Sequence, residues 1–379
     1  MIGEEPGSSQ RNTEQNMASS IGIGFLSLAH GHVGMYAQMI RGFDDAHPVA
    51  CWDDNEARGK RHAESVGMAF SPHIEDTLNH PDVQCIVIGS ETSKHADLAV
   101  AAMEAGKGVL VQKPMAITLA DCDRMIATAE RTGVWFSMAF QMRCDPVNIR
   151  MREMVQSGAL GKVGTIRRRH CIGVLFVPSF YEGETRWHVT AEANKGMFFD
   201  DAIHPLDWLY WTTGRKPVSV VAEIGNILTE IAPDDTGCAL YRFDDGMLAD
   251  IYNSSVTWAG ENTTEIYGDK GVLIQNHGDG PSSGILPPHP VALKFFDSGA
   301  GDKGWQDLQM PVDGQGERIA GVARPSCPGQ RGLPRLKASM NGRATPAILS
   351  PCPSTGGRRS CRPLSPAPHP ENLGGTGGG

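Results

Sequence analysis

Short apolar runs alternate with amphipathic stretches from Ile21 to about Met138, and this alternation limits the folds open to the N-terminal part of the chain. Two of the amphipathic stretches, His95–Gly106 and Leu119–Gly133, have helical periodicity and end on a glycine suited to a C-cap. The apolar runs are Ile21–Leu28, Pro48–Trp52, Val83–Gly89, Gly108–Gln112 and Val134–Phe140. Strand and helix in this order predict an α/β Rossmann domain over residues 20–140, with a doubly wound parallel sheet.

The pattern changes after residue 145. A helical stretch at Pro146–Ser157 is followed by runs with strand alternation, such as VSVVAEIGNIL and TTEIYGDKGVLIQN, and by a second helical stretch at Asp201–Thr213. Hairpin signals lie at Asp244–Gly246 and Gly268–Gly271. These features predict an α+β domain with a mainly antiparallel sheet over residues 141–325, serving substrate binding and oligomerisation.

The two ends of the chain differ in composition from the rest. Residues 1–19 are polar and lack an apolar signal core, so we expect a disordered leader, with Met17 as an alternative start. Residues 326–379 hold nine prolines and ten glycines and show no helix or strand periodicity, so we expect disorder there as well. This tail is interpreted either as the product of a reading-frame shift or as a natural extension.

Charge and composition narrow the classes of partner. The net charge of −9 provides no basic field for a nucleic acid, and no apolar run approaches the roughly 20 residues that a membrane span requires. Arg167, Arg168 and Arg169 lie on one predicted strand, whose alternation favours a solvated sheet face over an anion site. The nine cysteines show neither CxxC pairs nor metal-ligand spacing, so we expect free thiols in a cytoplasmic protein without a metal.

The connection after the first predicted strand is the candidate cofactor loop. The G-x-G-x-x-G pattern of dinucleotide sites is incomplete, because Leu26 and Ala29 stand where the second and third glycines follow Gly24. Asp53, at the end of the second strand, is expected to accept hydrogen bonds from the adenosine ribose, which favours NAD. Three nearby basic residues, Arg58, Lys60 and Arg61, keep NADP open, and Asp53 could instead cap the next helix.

Two longer segments resemble one known family. HADLAVAAMEAGKGVLVQKP (His95–Pro114) is similar to the H-x-x-x-x-x-x-A-x-x-A-G-K-x-V-x-x-E-K-P signature of the Gfo/Idh/MocA oxidoreductases. GMFFDDAIHPLDWLYWTTG (Gly196–Gly214) resembles the G-x-x-x-D-x-G-x-H-x-x-D segment of that family, with smaller similarities at Gln141-x-Arg143 and Gly316–Pro325. The sequence departs from these signatures at Gln112, where the family has glutamate, and at Ala202, where it has glycine.

The resemblance implies a catalytic set for NAD(P)-dependent oxidation of a secondary alcohol. Lys113 would stabilise the charge that develops on the reacting oxygen, and His204 would be the acid/base residue. Asp200 would hold a substrate hydroxyl or orient His204. The alternatives are a solvated lysine at a strand end, a buried core histidine, and helix caps at Asp200 and Asp201.

The resemblance also implies cofactor and substrate contacts. LSLAHGH is similar to a branch of the family that has Ser-Phe-Ala-His in this loop, so the cofactor set comprises Gly24, Ser27, Ala29, His30, Asp53, His95 and Lys113. His95 is expected near the nicotinamide, although it could simply begin a helix. Substrate contacts are expected from Arg186, Trp187, Gln141 and Arg143.

These residues favour a hydride-transferring dehydrogenase for a sugar, inositol or related polyhydroxy compound. By analogy with the family, a homodimer or homotetramer is expected. One alternative is an NAD-binding sensor or regulator without turnover, since Gln112 and the incomplete glycine loop depart from the family pattern. Another is an NAD-dependent glycoside hydrolase of the same fold.

Overall fold

The structure is a computed structural model that describes residues 20–258, 261–279 and 291–310. The expected leader (1–19), the family similarity at Gly316–Pro325 and the expected disordered tail (326–379) all lie outside the described residues.

The N-terminal part forms a six-stranded parallel sheet in the order β3-β2-β1-β4-β5-β6. The strands are β1 Ile21–Leu26, β2 Ala46–Trp52, β3 Ala69–Ser71, β4 Cys85–Ile88, β5 Gly108–Val111 and β6 Phe136–Met138. The helices are α1 Gly31–Ile40, α2 Glu56–Val66, α3 Ile74–Leu78, α4 His95–Glu104 and α5 Leu119–Thr132. The predicted Rossmann fold is confirmed.

Apolar runs form these strands because both faces of the sheet are covered. Every residue of β4 is buried, and two separate apolar clusters contribute, one containing Phe25 and Val33, the other Leu26 and Met103. The strand order reverses between β1 and β4, so their carboxyl ends open a crevice at the switch point of the sheet. In this fold class, ligands bind at that crevice.

The second part forms an eight-stranded sheet in the order β14-β13-β12-β11-β7-β10-β9-β8. Among the described strands of this second sheet, β7 and β10 pair in parallel and the other pairs are antiparallel, so the sheet is mainly antiparallel as predicted. The strands are β7 Val163–Cys171, β8 Pro217–Gly225, β9 Thr236–Phe243, β10 Leu248–Ser254, β11 Glu261–Gly268, β12 Gly271–Asp279, β13 Leu293–Asp297 and β14 Trp305–Leu308. The helices are α6 Pro146–Gln156, α7 Pro178–Glu182, α8 Ala191–Asn194 and α9 Met197–Thr213.

One face of this sheet packs against α6 and α9 to form the core of the second part. Trp208 of α9 is fully buried there, beside Ile166 of β7 and Ile251 of β10. Arg168 also lies on this buried face, with its guanidinium 4.1 Å from the Trp208 ring centroid. Its neighbours Arg167 and Arg169 are exposed, so the expectation of a solvated strand holds for two of the three arginines.

Helix α9 begins four residues earlier than predicted, at Met197 rather than Asp201. The carboxylate of Asp234 accepts a hydrogen bond from the Phe198 backbone N–H over 2.6 Å and so stabilises the helix start from outside. Gly196 permits this approach, because a Cβ there would come within 2.0 Å of the Asp234 carboxylate. Asp200 and Asp201 therefore lie inside the helix, and the alternative that they cap its N-terminus is wrong.

None of the helices in residues 20–258, 261–279 and 291–310 is both long and apolar enough to cross a membrane. Among those same residues, no group of three His, Cys, Asp or Glu side chains has an arrangement that could hold a metal ion.

Candidate active site

Lys113 lies just beyond β5, at the carboxyl end of the parallel sheet, and is joined to Pro114 by a cis peptide bond. It is only 3% exposed. Its Nζ donates to Oδ1 of Asp200 over 3.1 Å and to the Asp200 backbone carbonyl over 3.2 Å. Oδ1 of Asp201 lies 3.7 Å from the same Nζ. The fold therefore brings Lys113 together with two acids of α9 that are distant in sequence.

The charges of this cluster shift each other's protonation. Burial lowers the pKa of Lys113, but Asp200 and Asp201 outweigh it and hold that pKa above its usual value. Burial raises the pKa of Asp200, but the positive charge of Lys113 outweighs burial, and the Asp200 pKa lies below its usual value. Burial raises the pKa of Asp201 to about 7, because Lys113 offsets it only in part and the negative charge of Asp200 adds to it. An ion pair thus stands beside a carboxyl group whose pKa lies near neutrality.

His204 follows Asp200 by one turn of α9 and is 4% exposed. Its ring centroid lies 6.4 Å from that of Phe140 and 5.7 Å from that of His170. Its buried Nδ1 finds no hydrogen-bond partner in the part of the chain that the structure describes. Burial, the charge of Lys113 and the nearby His170 lower the pKa of His204 well below its ordinary value, so the ring is neutral at neutral pH. A neutral ring can donate through one nitrogen and accept through the other.

The loop between β1 and α1 (the phosphate loop) contains Ser27, Ala29 and His30. Of the two positions where the glycine pattern is broken, Leu26 ends β1 and Ala29 lies in this loop. Ser27 adopts a left-handed φ of +62°, and its Oγ accepts from the Ala29 N–H over 3.3 Å. His30 caps α1, because its Nδ1 accepts from the His32 N–H over 3.2 Å. A Cβ added to Gly31 would meet no heavy atom within 4 Å, so the helix N-terminus is open to approach. An open helix N-terminus suits a pyrophosphate.

Gly24 does not belong to this loop. It lies inside β1, where a Cβ would come within 2.7 Å of the Ile86 side chain and 3.0 Å of the Val83 side chain. A glycine is needed here for close packing between neighbouring strands. The cofactor contact expected for Gly24 does not fit this position, because the residue lies inside β1, before the phosphate loop begins, and faces the core.

Asp53 is buried at the end of β2, with 3% exposure, and both of its carboxylate oxygens are occupied. Oδ2 accepts from the Leu28 N–H over 2.8 Å and from Nε of Arg58 over 3.0 Å, and Oδ1 accepts from Nη2 of Arg58 over 2.7 Å. Asn55, not Asp53, caps α2 through a bond from the Arg58 N–H. Oδ1 of Asp53 also accepts from the Asn55 N–H over 2.8 Å, so Asp53 ties the phosphate loop to the start of α2, although the N-cap itself is Asn55.

Asp54, the next residue, is not among the residues that the sequence predicts for the cofactor site. Its side chain is 32% exposed, and it pairs with Nη2 of Arg58 over 2.8 Å and with Nζ of Lys94. The sequence shows two adjacent acids, Asp53 and Asp54, but it does not show which of them is buried. That depends on the contact with Arg58, which forms only in the folded chain. Each basic residue that kept NADP open pairs with a carboxylate: Arg58 with Asp53, Lys60 with Glu56 and Arg61 with Glu184.

His95 begins α4 and is fully buried. Its Nδ1 lies 2.8 Å from the Pro114 carbonyl, and its Nε2 lies 3.1 Å from the Ser90 carbonyl after β4. The ring therefore joins the ends of β4 and β5 and holds the backbone that follows Lys113. Beside it, Gln112 is buried and donates to the Tyr36 hydroxyl over 3.0 Å, a bond that a glutamate could make only as an acceptor.

The four residues expected to contact substrate occupy different environments. Arg186 is exposed, whereas Trp187 is buried, stacked on His188 at 3.5 Å between ring centroids, and 6.0 Å from the ring of His30. The indole Nε1 of Trp187 is buried without a hydrogen-bond partner among the described residues. Trp187 therefore lies against the phosphate loop, whereas Arg186 is exposed to solvent.

Gln141 and Arg143 lie in a 3₁₀ turn after β6, where Gln141 is buried. The Arg143 guanidinium donates to both carboxylate oxygens of Asp207 on α9, from Nε to Oδ2 over 2.9 Å and from Nη2 to Oδ1 over 2.5 Å. It also lies 5.5 Å from the centroid of the Phe140 ring. Phe140 in turn contacts His204. Arg143 therefore fixes α9 one turn beyond the histidine, so its guanidinium serves a positioning contact where the sequence predicts a substrate contact.

These residues fit a dinucleotide. The open N-terminus of α1 lies at the switch point of the sheet, and the partly exposed carboxylate of Asp54 stands at the end of the next strand. Lys113 and His204 lie at the carboxyl end of β5 and on α9, where a nicotinamide ring extended across the crevice would reach them.

Comparisons with known proteins agree with this architecture. A family model described as an oxidoreductase family with an NAD-binding Rossmann fold matches residues 20–140, and a model of the GFO/IDH/MocA C-terminal domain matches residues 149–274. The NAD-bound structure of GenD2 from gentamicin A biosynthesis has a TM-score of 0.68 and 18% identity, covering 91% of each chain. That likeness shows a shared fold.

Two curated relatives are dehydrogenases. The 1-carboxy-3-chloro-3,4-dihydroxycyclohexa-1,5-diene dehydrogenase of Comamonas testosteroni is 32% identical over 206 residues, 54% of this chain but only 50% of that enzyme's length. The myo-inositol 2-dehydrogenase of Thermotoga maritima is 27% identical over 265 residues, 67% of this chain and 75% of that enzyme. With both domain models matched in order, the chain belongs to the GFO/IDH/MocA family of oxidoreductases and carries its NAD-binding Rossmann domain.

Proposed function

We propose that this chain is an NAD-dependent dehydrogenase that interconverts a secondary alcohol and a ketone in a sugar, inositol or related polyhydroxy compound. The observation that carries the proposal is the buried contact of 3.1 Å between Lys113 and Asp200, one helical turn from a neutral His204 with an unpartnered Nδ1. Buried ammonium, carboxylate and imidazole groups that converge on one crevice are costly for stability, and such clusters are typical of active sites.

Oxidation of a secondary alcohol removes a proton from oxygen and a hydride from carbon. Bound NAD supplies the hydride acceptor. Lys113 carries its own proton at neutral pH because its pKa is raised, so it donates a hydrogen bond to the reacting oxygen and stabilises negative charge there. Asp200 keeps Lys113 charged and oriented through the two contacts from Nζ.

His204 accepts a hydrogen bond from the hydroxyl that loses its proton. Its lowered pKa keeps Nδ1 or Nε2 free of a proton, and no described residue competes for Nδ1. The contacts of Phe140 and the Arg143–Asp207 pair hold the ring and its helix in place. The neighbouring Trp187 covers the phosphate loop and supports exclusion of water from the crevice.

The relatives support the proposed substrate class. The names of the Comamonas and Thermotoga enzymes specify a dihydroxycyclohexadiene and an inositol, which are both six-membered rings bearing secondary hydroxyls. The cofactor choice follows from Asp54, because a partly exposed carboxylate repels a 2′-phosphate and accepts hydrogen bonds from a ribose diol.

The experiment is a scan of purified protein with NAD or NADP against inositols, anhydrohexitols and cyclic dihydrodiols, followed by NADH absorbance. The expected result is turnover with at least one such compound and a higher kcat/KM with NAD than with NADP. Tight NAD binding by calorimetry without turnover would contradict the dehydrogenase and favour a sensor. Cleavage of an aryl glycoside with no net NADH would favour the hydrolase alternative.

The outer face of the second sheet supports a homo-oligomer, a dimer or tetramer, as part of this proposal. Val221 is 75% exposed, Leu240 opposite it in the register is 47% exposed, and Trp305 at the far edge is 52% exposed. Exposed apolar side chains spread along one sheet face favour self-association. Light scattering on a sizing column should give a mass above that of one chain, and Val221→Asp should lower it.

A further inference from the structure

Two buried polar residues, Thr92 and Asn194, link the Rossmann part to the second part and have no role in the function proposed above. Thr92 begins the 3₁₀ turn between β4 and α4, and Asn194 ends α8. Both are fully buried, and Oγ1 of Thr92 donates to Oδ1 of Asn194 over 2.6 Å. Both also lie outside the segments His95–Pro114 and Gly196–Gly214, so motif similarity assigns neither of them a role.

The Asn194 side chain is bonded at both ends of its amide. Its Oδ1 accepts from Thr92, and its Nδ2 donates to the His188 backbone carbonyl over 3.2 Å. His188 in turn contacts the phosphate loop, with its ring centroid 5.3 Å from that of His30. Exchanging the oxygen and nitrogen of the amide would set an oxygen against the His188 carbonyl oxygen. Asn194 is therefore held in one orientation by residues of both parts.

A tight turn with unusual backbone geometry follows Asn194. Lys195 has φ +67° and ψ −57°, and the Gly196 N–H donates to the Asn194 carbonyl over 2.9 Å. These values and this bond define the rare γ-turn with positive φ, which is strained for a residue with a side chain. Lys195 is exposed, so burial of its side chain does not impose the turn. Strained backbone persists where neighbouring contacts impose it, and the fixed side chain of Asn194 provides such contacts.

The turn leads directly into the first turn of α9. The Gly196 carbonyl accepts from the Asp200 N–H over 3.1 Å. Hydrogen bonds therefore run in sequence from Thr92 through Asn194 and Gly196 to Asp200. Both acceptors of Nζ of Lys113, the carboxylate and the carbonyl, belong to Asp200. The amide of Asn194 also helps to hold the pKa of Asp200 below its usual value.

The connection between β4 and α4 reaches the other partner of the ion pair as well. His95 follows the 3₁₀ turn directly, and its Nδ1 lies 2.8 Å from the Pro114 carbonyl, just beyond Lys113. One short connection thus holds the backbone after Lys113 through His95 and the start of α9 through Thr92.

We propose that Thr92 and Asn194 are positioning residues for the reaction: they impose the turn at Lys195 and so place Asp200 opposite Lys113. The effect on turnover rests on the dehydrogenase function proposed above. Neither residue acts on substrate or cofactor directly. Misplacement of Asp200 leaves the Lys113 ammonium without its fixed partners, and a small misplacement of a catalytic group is costly in rate.

The first set of variants changes the hydrogen bond between Thr92 and Asn194. Thr92→Val keeps the shape of the side chain and removes the hydroxyl that Asn194 accepts from, whereas Thr92→Ser keeps the hydroxyl. Thr128→Val is the matched control, because Thr128 is a buried threonine of α5 whose Oγ1 donates to the Arg124 carbonyl over 2.8 Å.

The first readout is a double-mutant cycle on thermal stability, without cofactor or substrate. Residues of one hydrogen-bond network have coupled effects, whereas distant and independent residues have additive effects. The fall in thermal midpoint caused by Thr92→Val should therefore be smaller in an Asp200→Asn background than in the wild type. The fall caused by Thr128→Val should be the same in both backgrounds. Equal falls for Thr92→Val in the two backgrounds overturn the proposal.

The second readout is the separate effect on kcat and KM. Thr92→Val should lower kcat about 10-fold, with much less change in KM, because the misplaced group acts in the chemical step. Thr92→Ser should recover most of this loss. A change confined to KM, or a serine variant as impaired as the valine variant, overturns the positioning role.

The turn itself is tested by two substitutions of the exposed Lys195. Lys195→Val and Lys195→Gly both remove the ammonium group, but they differ in their tolerance of positive φ. A β-branched residue is a rare outlier in that region, whereas glycine enters it freely. Lys195→Val should therefore have a kcat about 10-fold below that of Lys195→Gly. Equal kcat values in the two variants overturn the proposal.

The outcomes separate this role from the proposed function. Wild-type turnover together with additive effects of Thr92→Val and Asp200→Asn overturns the positioning role and leaves the dehydrogenase intact. Absence of wild-type turnover on the whole panel overturns the dehydrogenase, and the double-mutant cycle then decides whether Thr92 and Asn194 place Asp200. If Asp200→Asn fails to fold, the comparison of kcat between Thr92→Val and Thr92→Ser decides the matter.

Discussion

Asp53 and Arg58 form a buried ion pair in which the guanidinium contacts both carboxylate oxygens, Nε to Oδ2 at 3.0 Å and Nη2 to Oδ1 at 2.7 Å. The same Oδ2 accepts from the Leu28 N–H in the phosphate loop. The pair therefore fixes the loop relative to β2 and α2, and Asp54 is left as the partly exposed acid of the two.

Asp53→Asn is expected to destabilise the protein. Removing one partner of a buried ion pair leaves the other charge uncompensated, which costs about 3–5 kcal/mol in the free energy of unfolding. Chemical denaturation at neutral pH measures the loss, beside wild type and the control Asp250→Asn, a change at an exposed acid of β10 that is paired with Arg167. A loss no greater than that of the control would mean that the pair has no structural role.

Asp54→Ala is expected to weaken NAD binding without a comparable loss of stability. Its side chain is partly exposed, so removal of its surface ion pairs should change the free energy of unfolding by less than about 1 kcal/mol. Loss of a hydrogen bond from ribose to a charged group should raise the Kd for NAD by about 10-fold. Calorimetry measures the Kd for NAD and the Kd for NADP. The ratio of these two Kd values should be closer to one in the variant than in the wild type. An unchanged Kd would remove Asp54 from the cofactor site.

Arg143→Lys is expected to lower kcat more than it raises KM. Lysine cannot reproduce the bidentate contact to Asp207, so α9 and the His204 ring should lose orientation. We expect a loss of about 10-fold in kcat, because a small misplacement of a catalytic group is costly. Steady-state kinetics measure the change, and Arg150→Lys, a half-exposed arginine of α6, is the control. A change confined to KM would instead favour a direct substrate contact.

The buried histidines near the crevice predict a loss of stability in acid. Burial, the charge of Lys113 and nearby His188 lower the pKa of His32 to about 3, and burial is the main cause that lowers the pKa of His188 to about 4. The unfolded chain takes up these protons below about pH 6.5, whereas the folded chain does not. Stability from these groups is therefore complete above about pH 6.5 and falls as pH decreases toward the folded pKa values.

His188→Gln tests that sign. The thermal midpoint of the wild type should fall between about pH 6.5 and about pH 4.5, and the variant should fall less steeply because one buried proton acceptor is gone. His73→Gln, a change at an exposed histidine before α3, should follow the wild-type curve. Parallel curves for all three proteins would contradict the account.

The sequence predicted the elements whose burial leaves a periodic signal. Wholly apolar strands such as β4 and glycine-ended helices such as α5 were recognised because their pattern is local. The three residues of β3 and the five of α3 were missed, because neither is long enough to show a period. The early start of α9 was missed because its cap comes from Asp234, far along the chain.

The site was predicted unevenly for the same reason. Motif similarity named Lys113, Asp200 and His204, and the fold brings all three to one crevice. Motif similarity could not show that Gly24 packs against Ile86, that Asp53 is buried in an ion pair with Arg58, or that Arg143 binds Asp207. Each of these depends on a partner distant in sequence or on the direction of one side chain.

The central claim is that Lys113 stabilises the reacting oxygen, and its most direct measurement is kcat of Lys113→Ala with the best substrate of the panel. Lys216→Ala, a change at an exposed lysine before β8, is the control. We predict a fall of about 10²–10³-fold for Lys113→Ala, as for loss of a hydrogen-bond donor to a developing oxyanion, and no change for Lys216→Ala. Turnover that persists at the wild-type rate in a folded Lys113→Ala protein would contradict the account.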